Sequence, residues 1–130
     1  LRMITASFLV KNLKVHWHLG RDHFWQCLVD ADIANNSAGW QWVAGCGADA
    51  APYFRIFNPV LQSEKFDKNG DFIRRFVPEL KQLPEKYIHQ PHLAPATILE
   101  QSPASSNYPK PMIDLGQSRK EALEHFERIK

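Results

Sequence analysis

The 130-residue sequence predicts an all-α fold. Apolar residues recur at helical spacing in several separate stretches, and convincing alternation of period two is absent. Most of the nine prolines gather between Pro84 and Pro111, away from those stretches. A hydrophobic content of 44%, with 12% aromatic residues, is that of a globular core and argues against disorder.

Each element has its own local signal. LRMITASFLVKNL sets Ile4, Phe8 and Leu9 near helical spacing, with Met3 and Val10 at the edges, and predicts a helix ending near Asn12. Gly20 is expected to break the next stretch. RDHFWQCLVDADIA then places Phe24, Leu28 and Ala31 on one face of a second helix, with Asp22 in its first turn. Asp30 and Asp32 stand where that helix should stop, and one of them is expected to cap the next element. GWQWVAG predicts a short helix. Pro52 and Pro59 bracket a turn-like piece in GADAAPYFRIFNPV. KFDKNGDFIRRFVPEL carries a loop at Asp67 to Gly70, then a helix with Phe72, Phe76 and Leu80 on one stripe.

Residues 1–83 thus form the helical body, 84–111 a Pro/Ser-rich connection with a helical turn near Ile98, and 112–130 a charged terminal helix. The formal charge of +2 excludes a global polycation, so any nucleic-acid contact must come from a local patch. Cys27 and Cys46 form no CxxC pair, which suits a reduced intracellular compartment. No stretch is long enough to span a membrane. The chain opens on Leu1 inside a periodic segment, and we expect an amino-terminal part to precede it.

Four constellations bear on chemistry. His16, His18 and His23 crowd one region but match no zinc spacing, so metal is not expected. Asp30 and Asp32 suit either an acid/base pair or helix termini, and a buried partner in Arg2 would favour a functional reading. Arg55, Lys65, Arg74 and Arg75 alternate with Tyr53, Phe54, Phe57 and Phe66, as on a nucleic-acid surface or over a Phe-rich core. Trp17, Trp25, Trp40 and Trp42 suit core anchors, or a relay of electrons to a buried acceptor.

The runs MITASFLVK, DADIANNSAGWQW, DAAPYFRIFNPVLQSEKFD and YPKPMID resemble the carboxy-terminal part of the flavin domain of DNA photolyases. The likeness is to the bacterial, class I enzymes for cyclobutane pyrimidine dimers (deoxyribodipyrimidine photo-lyases) within the photolyase/cryptochrome family. It implies part of a helical FAD-binding domain, incomplete at its N-terminus. It also implies a lyase in which light-excited reduced FAD passes an electron to a lesion flipped out of DNA. Arg2, Asp30, Ala31, Asp32 and Asn36 match flavin-lining positions. Trp40 and Trp17 match the first two tryptophans of the photoreduction relay. Trp42 and Met3 match the side that meets the dimer, while Gln62, Arg55 and Lys65 match DNA or lesion neighbours.

The same resemblance implies a monomer in the bacterial cytoplasm and a second antenna chromophore, of folate or deazaflavin type, only in a domain upstream of Leu1. The isolated piece is expected to be inactive. The alternatives are a cryptochrome-like photoreceptor, which Asn36 disfavours, and a non-functional gene remnant. Ala31, Ser37 and Ala38 depart from the family's usual DGD and NNGG, adding Cβ atoms where backbone approaches closely.

Overall fold

The computed structural model describes residues 1–51, 54–102, 105 and 107–129. The Pro52 turn, the Tyr53 ring and Ser106 lie outside them. In chain order the helices are α1 (Arg2–Ser7), α2 (Trp17–Cys27), α3 (Ile33–Ala44), α4 (Pro59–Phe66), α5 (Asp71–Phe76), α6 (Glu85–Ile88), α7 (Ala96–Gln101) and α8 (Leu115–Glu127). Tighter 3₁₀ turns occur at Pro78–Leu80 and Pro91–Leu93. Among the described residues there is no strand, in line with the predicted class. The chain forms two compact units, residues 1–58 with 113–130, and residues 59–112.

In the first unit, α1 continues into a wider π-type turn over Phe8–Asn12. There the Leu13 N–H reaches five residues back to the Phe8 carbonyl (3.0 Å). The expected end near Asn12 is therefore found, with a different pitch. Gly20 does not break the chain: it is buried inside α2, which starts at Trp17 and is capped by His16, whose ring accepts from the His18 N–H. The reason is packing. A Cβ on Gly20 would lie 2.1–2.7 Å from three atoms of the Trp40 indole, so only glycine lets that ring reach the α2 backbone. Leu28 is extended, so α2 ends before Ala31, which falls in the connector and not on the Phe24 face.

Asp32 caps α3, its carboxylate accepting from the Asn35 N–H (2.7 Å). That cap starts the helix at Ile33, well ahead of the expected GWQWVAG piece. Gly45 ends it in the left-handed region (φ 79°). Ala6, Trp40 and Val43 form the core, with Leu9, Val10, Trp17, Phe24 and Trp42 packed against it. Asn12 donates to the Ser118 hydroxyl (2.9 Å), tying the π-type turn to α8.

In the second unit, Leu80, Leu83, Ile88 and Ala94 make a separate core. Ile88 and Ala94 lie in the stretch expected to be a loose connection, with Leu83 at its border, and they are why α6 and the 3₁₀ turn after it form there. Phe72 and Phe76 do not join Leu80 in a buried stripe. α5 ends before Pro78, and the two rings pack on each other at the surface (4.5 Å). Arg74 donates to the carbonyls of Asn69 (2.5 Å) and Leu83 (2.9 Å).

Candidate functional site

Between α1, α2 and α3 of the first unit lies an open cavity of about 380 Å³. Each wall has a local cause. α1 contributes Arg2, Met3 and Ala6, and the end of α2 contributes Phe24 and, just past it, Leu28. The extended connector, held open by the C-terminus of α2 and the Asp32 cap, contributes Asp30, Ala31 and Asp32. From α3 come Asn35, Asn36, Gly39 and Trp40, one helical face facing inward.

Trp40 is 2% exposed and meets Phe24 edge-on at 5.0 Å, so its ring is held by packing before any ligand arrives. The Asn36 amide nitrogen donates to the Arg21 carbonyl (2.9 Å). Because that carbonyl can only accept, the nitrogen must face it, which fixes the amide's orientation and leaves its oxygen free to accept from a ligand. Arg2 donates to Asp30 at 2.6 Å. This hydrogen bond holds the Asp30 carboxyl below the usual carboxylate range, against a smaller opposing effect of desolvation. A buried pair would favour a functional reading, but its side chains are 56% and 67% exposed, so desolvation gives it no functional meaning in this chain.

Arg2, Met3, Asp30, Ala31, Asp32, Asn36 and Trp40, singled out from sequence, all line this one cavity. Trp17 and Trp42 do not line it: both are half-buried and pack against the core cluster containing Trp40. Trp17 also meets His18 edge-on at 4.0 Å and has the Arg21 guanidinium 5.4 Å from its ring. Arg55 is exposed in the first unit, its guanidinium 4.5 Å from the Phe57 ring. Gln62 and Lys65 sit on α4 in the second unit, Lys65 exposed. Arg74, one of the interleaved cations, is spent on backbone carbonyls.

The sequence reading missed the lining roles of Asn35 and Gly39, although Gly39 sits about one helical turn from Asn35 and Asn36, a relation that spacing alone could have supplied. No cluster of three or more metal-type ligands occurs among the described residues. No helix described is long and apolar enough to cross a membrane.

Comparison with known proteins fits this geometry. Residues 1–128 match the family described as the FAD binding domain of DNA photolyase, and the chain belongs to that family. A deoxyribodipyrimidine photo-lyase of Agrobacterium fabrum is 53% identical over 131 residues, covering 99% of this chain and 27% of the relative. A solved bacterial class III photolyase from Agrobacterium tumefaciens superposes with a TM-score of 0.89 at 53% identity, over 98% of this chain and 27% of its own. A Synechocystis cryptochrome superposes with a TM-score of 0.85 at 39% identity, over 95% and 26%. The chain thus spans about a quarter of the length of the proteins it matches.

The residues present fit a flavin. A volume of about 380 Å³ is at the small end for ligand sites, enough for a ring system and not for a whole dinucleotide. Its walls pair apolar Phe24, Leu28 and Trp40 with amides and carboxylates at the edge, groups that can accept from the N–H groups of a heteroaromatic ring.

Proposed function

We propose that this chain supplies part of the FAD site of a longer enzyme that repairs cyclobutane pyrimidine dimers in DNA with light, a deoxyribodipyrimidine photo-lyase. The observation that carries the reading is the meeting of Arg2, Asp30, Ala31, Asp32, Asn36 and Trp40 around one cavity in a member of this family. FAD, when bound, supplies the light-driven electron chemistry.

The chain's own residues hold and feed it. Phe24, Leu28 and Trp40 exclude water from one side of the ring. Asn36, one of its amide hydrogens taken by the Arg21 carbonyl, would present its carbonyl oxygen to a ring N–H. Arg2 pairs with Asp30 at the cavity edge and favours its ionised form. Trp40, touching the cavity, and Trp17, packed against the same cluster, relay an electron inward during photoreduction. Trp42 projects from α3 away from Trp40 and, with Met3, meets the lesion. Arg55, Gln62 and Lys65 contact DNA phosphates or the lesion.

The antenna chromophore belongs to the remainder of the longer protein, which works as a monomer in the bacterial cytoplasm. We place the longer enzyme among dimer photolyases without assigning a class, a class III photolyase being among the solved structures that this chain resembles. Alone, this chain is inactive, since its cavity is open and Val29, Ile33 and Leu1 stand exposed.

The test is to express the complete reading frame that contains this chain, record its visible spectrum and follow dimers in irradiated DNA. Flavin absorbance with light-dependent loss of dimers supports the reading. Their absence would overturn it. The likeness to the Synechocystis protein favours a second reading, a photoreceptor, and photoreduction without repair would select that one.

A further inference from the structure

Lys11 is a buried cation that the flavin reading leaves without a task. It sits in the π-type turn after α1, only 5% exposed. Its ammonium donates to the Ala44 carbonyl at the end of α3 (3.3 Å) and lies 3.7 Å from the centre of the Phe54 ring. That ring in turn stacks on Phe126 of α8 at 4.2 Å with an 11° tilt. Gly45, in the left-handed conformation, folds the chain over the ammonium: a Cβ there would lie 3.9 Å from Nζ. One cation therefore joins the C-terminus of α3, where helix carbonyls favour positive charge, to an aromatic pair contributed by two other segments.

We propose that Lys11 is a positioning residue whose ammonium seats the last turn of α3 against the Phe54–Phe126 stack, and so fixes how α3 presents Asn36 and Trp40 to the cavity. An apolar side chain of the same length would fill the space without the desolvation cost of a charge. It would leave the Ala44 carbonyl and the Phe54 face without their shared partner. The state of the amine is open to experiment, because burial lowers its pKa to about 8, partly offset by Cys46 nearby. Cys46, exposed beyond the end of α3, is the titratable neighbour that bears on it among the described residues. Consequences for flavin rest on the function proposed above; the seating of α3 does not.

The test labels the protein with 5-fluorotryptophan, assigns the Trp40 fluorine signal by Trp40→Phe, and titrates from roughly pH 7 to roughly pH 9.5, below the range of ordinary lysines. The Trp40 signal should shift with a midpoint of about 8. Lys11→Arg, which stays charged, should hold the low-pH position throughout, and Lys11→Met the high-pH position throughout. Cys46→Ser should keep the transition and move it lower. A flat Trp40 signal in the parent, a shift that persists in Lys11→Arg, or one that vanishes in Cys46→Ser would overturn the assignment. Should Lys11→Met fail to fold, the parent and the arginine variant decide. A protein that seats α3 in this way yet carries no flavin would sink the function and leave the seating intact.

Discussion

Gly20→Ala is the substitution whose sign the structure reverses. Alanine in a helix interior ordinarily stabilises by about 0.5–1 kcal/mol over glycine, through propensity and the unfolded chain. At position 20 the added methyl would stand 2.1, 2.4 and 2.7 Å from Cη2, Cζ3 and Cζ2 of Trp40, where ordinary contact begins at 3.4 Å. The indole is rigid, 2% exposed and braced by Phe24, so it cannot turn aside. α2 and α3 must part by about an ångström or the ring must leave its rotamer, and overpacking of this kind costs about 1–3 kcal/mol, sometimes more. Set against the propensity gain, the net effect is a loss of about 1–2 kcal/mol, measured by urea unfolding followed with far-UV circular dichroism. The decisive comparison is the double-mutant cycle with Trp40→Phe, because phenylalanine lacks all three of the atoms concerned. In that background the alanine methyl should be neutral or stabilising, giving a coupling of about 2 kcal/mol between the two sites. Effects that add to within about 0.5 kcal/mol would refute the packing argument.

Four further outcomes are expected from the same geometry. Asp32→Ala removes the α3 cap and should cost about 1 kcal/mol in unfolding free energy, with Asp32→Asn recovering most of it. His89 accepts or donates at Ser63 (2.7 Å) and reaches the Lys68 carbonyl, so His89→Ala should destabilise by about 1–2 kcal/mol and speed hydrogen exchange within residues 59–112. For Lys11, a folded pKa of about 8 against 10.5 unfolded means the unfolded chain binds more protons between those values, so this residue makes stability rise with pH across that window. Lys11→Met should therefore gain stability on the parent below about pH 8, by at most about 3 kcal/mol, and lose that advantage toward pH 10.5; a difference independent of pH would refute it. In the complete, flavin-loaded protein, Trp40→Phe should slow photoreduction while leaving repair from pre-reduced flavin largely intact, as read by flash photolysis and dimer counting.

The helical class was legible in short-range pattern, and most of the cavity in the resemblance that the DADIANNSAGWQW run carries. The Asp32 cap sits at the spacing where caps act, and Asn36 and Trp40, four apart, share a helical face by geometry alone. What local pattern could not convey was anything settled by a distant partner. Gly20 read as a break because its reason, the Trp40 ring, is 20 residues away. Phe72 and Phe76 read as core because their spacing is right, yet the helix ends before Leu80 can join them. Ile88 and Ala94 read as loop because prolines surround them, although they find Leu80 and Leu83 across short turns. Exposure of the Arg2–Asp30 pair was equally invisible, since a sequence shows charge but not the solvent around it.

That exposure has an energetic consequence for the site. Between solvated side chains an ion pair gains little, because water screens the attraction and both groups surrender rotamer freedom. Cover the cavity, and the same 2.6 Å contact operates at a lower effective dielectric, where the attraction strengthens and an unpartnered carboxylate becomes costly. Arg2→Met should then be nearly silent on the stability of the uncovered chain and pronounced in a protein whose cavity is filled, where Asp30 would lose its partner while buried. Equal effects of Arg2→Met on the empty and filled forms would mean that the pair stays in water in both, and that the cavity edge, not its interior, is where Asp30 acts.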